Sequence, residues 1–509
     1  MSAVPSPALP VVETGSGRVS GRFEPWGGIA FLGLPYAAPV TPAQRFAAPE
    51  PVARWAGIRA CDRLGPVCPQ SPTYGPVGTA AASALGQGED FLTLNIRTPS
   101  LTGRAPVLVW IHGGGYAVGS ANEPVVQSGA FAASGVVEVT VNYRLGALGF
   151  LSLPGCPENR GLLDQIAALG WVRDNIAAFG GDPAQVTFAG RSAGGFSIAA
   201  VMAMPAARGL FARAMPQSGA STGLARREDA AKLTARMAAA LGCTPDRIAE
   251  APLQALILAQ RDLCNESYER HDATRDGRAA MLGVPFVPVI DGDSLPDHPE
   301  ALAARGQTAP VPMMIGCTTA EYLTHSSVLP ADLDFAGAAR LLHERVRPCG
   351  LSGDEIVARY RAALPDHGPQ GIWRAVAGDL VFQNPTTRFA RAHGRHQPVW
   401  KYLWGALGPD ETGAAHGAEV GEVWYRPGMD QSQRPARQRV ADPAAAARTH
   451  ALWLSFLRGD IPATGGVTAP RHAVDAPEVL WLDPLGARST RDPFDARTAL
   501  WDQPAGQGE

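Results

Sequence analysis

Lysine is almost absent from this 509-residue chain, in which Lys232 and Lys401 stand beside 42 arginines. Long basic runs are absent too, and the formal net charge is only −3. Proteins that bind nucleic acid or an anionic membrane usually carry a basic stripe. The sequence therefore predicts neither partner and favours a small neutral molecule. The preference for arginine over lysine is typical of a GC-rich bacterial genome.

Cysteine is scarce, and its spacing excludes further classes of protein. The seven cysteines form no CxxC pair and show no metal-ligand spacing. No window reaches the roughly 18 apolar residues of a membrane span, and the N-terminus lacks the charged start and apolar stretch of a secretion signal. We therefore expect a cytoplasmic protein with free thiols and without a disulfide framework.

Apolar residues are plentiful, at 46% against 18% charged, which is enough for a large core. Strand-like apolar runs alternate with helical patterns in the first half of the chain, as a mainly parallel sheet with crossover helices requires. The predicted strands are residues 107–111, 136–141, 185–189, 311–315 and 399–404.

The rest of the chain reads as additions to this sheet, because strand-like runs resume after each helical stretch. We expect a single α/β domain over residues 1–509, with helical insertions at about 225–280 and 330–395. The Pro- and Gly-rich end, residues 502–509, is predicted to be disordered.

Residues 190–194, Gly-Arg-Ser-Ala-Gly, fit the pattern G-x-S-x-G between a predicted strand and a small-residue helix. In this pattern the serine lies on a strained strand-to-helix turn, and the flanking glycines allow close approach of the backbone. Ser192 is therefore the candidate nucleophile. The pentapeptide alone is a weak signal in a chain with 57 glycines, and a glycine-rich turn with an ordinary capping serine is the alternative.

A second motif, His-Gly-Gly-Gly-Tyr at 112–116, follows the predicted strand that ends at Ile111. Attack by a serine on a carbonyl needs backbone N–H donors for the oxyanion that develops, and a loop at this place can supply them. The candidate donors are the amides of Gly114, Gly115 and Ala193. A flexible glycine linker is the alternative reading of the loop.

Both motifs, in this order, resemble those of the type-B carboxylesterase family, which includes cholinesterases and bacterial para-nitrobenzyl esterases. Further matching stretches are Phe-Leu-Gly-Leu-Pro-Tyr-Ala at 31–37, Arg-Phe at 45–46, Glu-Asp-Phe-Leu-Thr-Leu-Asn at 89–95, Val-Asn-Tyr-Arg-Leu-Gly at 141–146 and Phe-Gly-Gly-Asp-Pro at 179–183. The resemblance implies an α/β-hydrolase fold, in which helical insertions form the pocket walls. It also implies a serine carboxylesterase that acts on a small-molecule ester and needs no metal or other cofactor.

The resemblance identifies two more catalytic candidates, which local pattern leaves open among 11 histidines and 47 acidic residues. Glu321 ends the stretch Ile-Gly-Cys-Thr-Thr-Ala-Glu and matches the family's acid, and His416 in Gly-Ala-Ala-His-Gly-Ala-Glu matches the base. The chain order serine, acid, histidine is the one this fold uses. His325 and Asp332 are the alternatives to Glu321.

One departure from the family concerns charge: Arg191 stands where the family usually has a glutamate. An arginine about 7 Å from a protonated His416 would oppose that charge by roughly 2 kcal/mol at an effective dielectric of about 20. We therefore expect Arg191 either to form a salt bridge with an acid such as Glu419 or to bind an anionic group of the substrate. Arg191 and Tyr116 are the predicted substrate-binding residues.

A second departure concerns the thiols. Cys68 matches a family cysteine, but Phe91 occupies the position of its usual partner, so this disulfide cannot form. The resemblance then agrees with a reducing compartment.

Two other functions use the same scaffold. An acyltransferase or cyclase would intercept the acyl-enzyme with an alcohol, amine or carbon nucleophile instead of water, and it would share the three catalytic residues. A non-catalytic binding protein of the neuroligin type would lack the nucleophile and carry a membrane anchor, whereas this chain keeps Ser192, Glu321 and His416.

Overall fold

The computed structural model of the chain describes residues 9–74, 77–78, 86–325 and 329–502. Within these residues, 11 strands form one large sheet, with helices packed on both of its faces. The tail predicted over 502–509 lies outside the described residues except for Asp502. No described helix is long and apolar enough to cross a membrane.

The strands of the large sheet are numbered in chain order from β1 to β11. They are Arg22–Phe23, Ile29–Pro35, Thr93–Thr98, Ala105–Ile111, Val137–Val141, Gly181–Arg191, Arg213–Gln217, Met313–Thr318, Val399–Trp404, Glu478–Asp483 and Gly486–Arg491. Their spatial order is β11-β10-β9-β8-β7-β6-β4-β5-β3-β2-β1. The pairs from β5 to β10 are parallel, while β1, β2, β3 and β11 pair antiparallel at the two ends.

Short strands form small sheets apart from the large one. They are Val11–Thr14, Gly17–Ser20 and Ile58–Ala60 in one sheet, and the pairs Thr73–Tyr74 with Val77–Gly78, Ala225–Arg226 with Val289–Ile290, Leu407–Gly408 with Thr412–Gly413, and Ala463–Thr464 with Val467–Thr468.

The longer helices are numbered α1 to α9. They are Arg160–Asn175, Ala193–Ala203, Arg227–Leu241, Leu253–Arg270, Phe335–Val346, Gly353–Ala363, Pro369–Gly378, Asn384–Gly394 and Pro443–Leu457. A π-helical turn, Asp379–Gln383, joins α7 to α8. Shorter helices are Ala130–Ala133, Gly146–Phe150, Ala273–Asp276, Pro299–Ala304 and Val420–Val423.

The core lies on both faces of the sheet, as strand β4 illustrates. Val107, Val109 and Ile111 point into one apolar cluster, whereas Leu108 and Trp110 point into the other. A strand sends alternate side chains to opposite faces, so a strand covered on both faces needs an unbroken apolar run. This explains why the sequence shows continuous rather than alternating hydrophobicity here.

The predicted strand boundaries differ most from the structure in β6 and β8. Strand β6 begins four residues earlier than expected, because Gly181 pairs with Ala105 before an irregularity in the ladder. Strand β8 begins at Met313 rather than at residue 311. Pro312 precedes it, and a proline has no N–H to donate to the ladder.

The buried thiol of Cys68 has a structural role in place of the excluded disulfide. Cys68 Sγ accepts the backbone N–H of Leu145 at 3.4 Å. Phe91 is packed in the same apolar core, with 1% of its surface exposed. Burial raises the pKa of the Cys68 thiol to about 12, which keeps it protonated and unreactive.

Candidate active site

Neighbouring strand ends bring the candidate residues to one edge of the sheet. In the parallel ladders, Gly190 of β6 pairs with Ile111 of β4, and Arg191 pairs with Gln217 of β7. The residues that follow these strand ends therefore emerge side by side. They are the glycine loop after β4, Ser192 after β6 and Ser218 after β7, which is where ligands bind in open parallel sheets.

Ser192 sits on a strained turn between β6 and α2. Its backbone has φ 59° and ψ −124°, a conformation that residues other than glycine rarely adopt. A Cβ at Gly190 would lie 2.8 Å from the backbone of Gly194, and a Cβ at Gly194 would lie 2.2 Å from the Ile111 carbonyl. The turn thus requires both flanking glycines, and it presents the serine at the start of the helix with part of its surface exposed.

The glycine loop lies directly against this serine. A Cβ at Gly113 would approach the Ser192 Cβ to 2.9 Å, and one at Gly114, whose φ is +115°, would collide with the Val118 carbonyl at 2.0 Å. Among the described residues, no acceptor pairs with the amides of Gly114, Gly115 or Ala193. These three predicted donors are therefore available to a ligand.

Contacts between His112 and Tyr143 fix the start of the glycine loop. The His112 ring stacks on Tyr143 at 4.5 Å between centroids, and the Tyr143 hydroxyl donates to the His112 carbonyl at 3.0 Å. Burial lowers the pKa of His112 to about 4, so the ring is neutral near pH 7. A neutral buried ring serves to position the loop and not to transfer protons.

Tyr116 was predicted to contact the substrate, but its side chain is 0% exposed. The ring packs against Phe150 at 4.6 Å, and Ser197 donates to its hydroxyl at 3.4 Å. The Tyr116 carbonyl accepts the Gly146 N–H at 2.6 Å. Tyr116 therefore has no surface to offer a substrate and instead anchors the end of the glycine loop in the core.

Glu321 and His416 form a hydrogen-bonded pair, although 95 residues separate them. Nδ1 of His416 lies 2.5 Å from Oε2 of Glu321. The Glu321 side chain is 0% exposed, whereas the His416 side chain keeps 15% of its surface exposed. A carboxylate held in this way fixes the histidine ring and leaves its other nitrogen, Nε2, free for proton transfer. The alternative acid, Asp332, lies exposed on the surface.

Two further donors hold the Glu321 carboxylate. The Ser218 hydroxyl donates to Oε1 at 2.7 Å and the Thr318 N–H donates at 2.8 Å. Burial by itself would raise the pKa of Glu321, but the charge of His416 and these hydrogen bonds lower it below its ordinary value. Glu321 is thus ionised at neutral pH.

Sequence reasoning missed Ser218. It follows strand β7 with a positive φ of 43°, and it is buried. The available signal was a polar pair, Gln217 and Ser218, at the end of a strand that neighbours β6.

The π-helical turn contributes two side chains that the sequence also did not reveal. Phe382 lies 4.7 Å from the His416 ring and stacks at 6.0 Å on Phe196, one turn into α2. Gln383 donates to the Thr318 carbonyl at 2.7 Å. This turn, between α7 and α8, therefore packs onto both the histidine and the loop that carries Glu321. Irregular turns of this kind are common at functional sites.

The expected salt bridge between Arg191 and Glu419 is not formed. No nitrogen of Arg191 lies within 4.0 Å of the Glu419 carboxylate. Glu419 is 0% exposed, and neither carboxylate oxygen has a hydrogen-bond partner among the described residues. Burial raises the pKa of Glu419 to about 7, against a smaller lowering by the nearby charge of Arg191. A buried carboxyl in this range ionises only in part at neutral pH, so it does not need a close cation.

The described residues contain no group of three or more His, Cys, Asp or Glu that could hold a metal ion. The side chains at the strand edge are those of a serine, a histidine and a carboxylate, and the amides without acceptors belong to the same edge. Such an arrangement can perform acyl transfer by proton relay and oxyanion stabilisation.

Comparison with known proteins agrees with this geometry. The profile of the carboxylesterase family matches residues 8–478. Para-nitrobenzyl esterase of Bacillus subtilis is 34% identical, over 93% of this chain and 94% of that protein, and phenmedipham hydrolase of Pseudarthrobacter oxydans is 33% identical, over 95% and 97%. The crystal structure of a Geobacillus stearothermophilus carboxylesterase superposes with a TM-score of 0.81 at 32% identity, covering 97% of this chain and all of that one.

The chain therefore belongs to the carboxylesterase family. It has the α/β-hydrolase fold, and it is a carboxylic ester hydrolase, as the sequence predicted.

Proposed function

We propose that the chain hydrolyses esters through an acyl-enzyme on Ser192, with His416 as the general base and Glu321 as the group that orients it. The observation that carries the proposal is the 2.5 Å contact between His416 and Glu321 at the strand edge where Ser192 lies. Para-nitrobenzyl and para-nitrophenyl esters are the first substrates to try, since one relative is a para-nitrobenzyl esterase.

In this mechanism, His416 Nε2 removes the hydroxyl proton of Ser192 while Oγ attacks the ester carbonyl. The carbonyl oxygen becomes an oxyanion, and the amides of Gly114, Gly115 and Ala193 donate to it. The intermediate then collapses, and His416 returns the proton to the departing alcohol. Water repeats the sequence on the acyl-enzyme and releases the acid. Ser218 acts through Glu321 and is a positioning residue.

Hydrolysis of para-nitrophenyl acetate through octanoate by purified wild type and single variants tests the proposal. We expect Ser192→Ala to lower kcat by about 10⁴-fold or more and Glu321→Gln by about 10⁴-fold. Ser221→Ala is the control, because it removes another serine hydroxyl, one that is buried and has no partner among the described residues. A Ser192→Ala protein that kept wild-type turnover would exclude the mechanism.

A further inference from the structure

The guanidinium of Arg191 lies between the two loops that carry the catalytic groups. A Cβ at Gly417, the residue after His416, would lie 2.0 Å from Nη1 of Arg191. A Cβ at Gly113, at the start of the glycine loop, would lie 3.5 Å from Nη2. The side chain thus occupies space that exists because position 417 is glycine, and it lies in van der Waals range of position 113. The same Cβ at Gly113 would lie 2.9 Å from the Ser192 Cβ, so the guanidinium lies beside the serine.

This guanidinium has no hydrogen-bond partner within the described part of the chain. Most buried arginines of the described chain have hydrogen-bond acceptors for their guanidinium groups. Arg144, for example, donates to Asp164 and to backbone carbonyls. Arg191 is partly exposed, and it carries five donors in a planar fork. An unused fork of this kind matches a carboxylate, which accepts two parallel hydrogen bonds from it.

The two buried acids of the site, Glu419 and Glu321, do not fill that role. No nitrogen of Arg191 lies within 4.0 Å of the Glu419 carboxylate, and Glu419 is 0% exposed in the protein interior. Glu321 already accepts from His416, Ser218 and Thr318. A positive charge therefore stands beside the nucleophile without a protein anion bound to it.

We propose that Arg191 binds an anionic group, a carboxylate, on the alcohol part of the ester substrate. The proposal rests on the function proposed above and names its substrate class. The side of the ester follows from the proton path: His416 passes its proton to the departing oxygen, so the alcohol part lies against the loop of His416 and Gly417. That loop is the one that the Arg191 guanidinium touches. A bound carboxylate would also offset the repulsion between Arg191 and the protonated His416.

The test compares matched esters that differ only in charge. Para-acetoxybenzoate and para-acetoxybenzamide carry the carboxylate or its neutral amide on the alcohol part. Phenyl hydrogen glutarate and phenyl glutaramate carry the same difference on the acyl part. For each pair, the ratio of kcat/KM for the acidic to the neutral ester is measured in wild type and in variants. Because intrinsic reactivity is the same for every variant, it cancels when these ratios are compared.

We expect Arg191→Gln to lower the ratio for the acetoxy pair about tenfold or more and to change the glutaryl pair less. Arg191→Lys should keep part of the preference, since it retains the charge without the fork. Arg278→Gln is the control: its guanidinium also has no acceptor among the described residues, but it lines a surface groove with His298 and Arg388.

An unchanged acetoxy ratio in Arg191→Gln would overturn the proposal. A larger change in the glutaryl pair would overturn the assignment to the alcohol part. These outcomes differ from failure of the proposed function, which would show as turnover of the neutral ester that survives Ser192→Ala.

Discussion

At the residue scale, the carboxylate of Glu321 depends on a serine that is not itself in the catalytic set. Replacing Ser218 by alanine removes the 2.7 Å hydrogen bond to Oε1. A hydrogen bond to a charged group contributes about 1.5–3 kcal/mol, so we expect kcat to fall about tenfold or more with KM little changed. Steady-state kinetics on one neutral ester measures both.

Recovery of kcat in a second variant distinguishes a positioning role of Ser218 from a general loss of packing. Ser218→Thr keeps the hydroxyl and should restore most of kcat, while Ser221→Ala, which removes a nearby buried hydroxyl without a partner, should leave kcat unchanged. Equal losses in Ser218→Ala and Ser221→Ala would contradict the role of Ser218.

Glu419 predicts a pH dependence of stability at the same scale. Burial raises its pKa to about 7 from an ordinary value of 4.5, so the folded chain holds this proton more tightly than the unfolded chain does. The contribution of Glu419 to the free energy of unfolding therefore decreases as pH rises through this interval and levels off above it. Glu419→Gln cannot ionise, so relative to wild type it should gain stability between pH 5 and pH 8, by on the order of 3 kcal/mol at most.

Thermal unfolding of both proteins at the two pH values checks this sign. Any constant cost of the glutamine cancels in the comparison. The control is Glu228→Gln, whose glutamate side chain is 63% exposed. A relative loss of stability in Glu419→Gln at the higher pH would show that the carboxylate is stabilised in the fold.

At the scale of elements, we expect a single added methyl group to lower kcat strongly when it is placed in the glycine loop. Alanine at Gly114 must accept φ +115° and displace the Val118 carbonyl, so the loop cannot keep its shape. Losing one oxyanion donor costs about 3–4 kcal/mol of barrier, and we expect kcat to fall at least about 100-fold.

Gly103 provides a matched control for Gly114. Its φ is +111°, but an added Cβ meets nothing within 4 Å. Gly103→Ala should therefore cost about 1 kcal/mol of stability from backbone strain and leave kcat unchanged. If both variants lost activity alike, backbone strain alone, and not the shape of the glycine loop, would explain the loss of activity.

Sequence patterns predicted regular elements well and irregular ones poorly. Strand β4 is recognisable from its continuous apolar run over 107–111, and β6 from a short, mostly apolar run that leads into Gly190. The π-helical turn that places Phe382 against His416 has no such pattern, because its apolar residues fit an ordinary helix equally well. The inward turn of the Tyr116 ring was missed for a related reason: the residue's direction depends on φ +59°, which packing fixes.

The partnership of Glu321 with His416 lay beyond local pattern altogether. The two residues lie on loops after different strands, and only the resemblance to a family located them. The absent salt bridge of Arg191 shows the limit of that route. Because Glu419 lies three residues after His416 in the sequence, the motif places it near the site. The charge of its carboxyl depends on how deeply it is buried, and burial is determined by packing of the whole fold.

At the scale of the whole molecule, buried ion pairs fix how the chain packs around the sheet. Arg144 and Asp164 lie 2.7 Å apart, and their side chains are 1% and 0% exposed. Asp164→Asn would leave the guanidinium buried without its anion, and we expect a loss of about 3–5 kcal/mol in the free energy of unfolding.

The exposed pair of Arg173 and Asp174 supplies the comparison for that prediction. Its side chains are 55% and 59% exposed, so Asp174→Asn should change stability by less than about 1 kcal/mol. Urea unfolding of the two variants gives both values. Equal stability of the two would mean that the buried pair contributes no more than a surface pair.

The most direct test of the central claim is to trap the acyl-enzyme. Wild type is mixed with para-nitrophenyl butyrate, quenched in acid within milliseconds and digested, and the mass of the peptide containing Ser192 is measured. The account predicts a butyryl adduct on Ser192 that decays as hydrolysis proceeds and is absent from Ser192→Ala. An adduct on another residue, or full turnover without any adduct in single-turnover conditions, would contradict it.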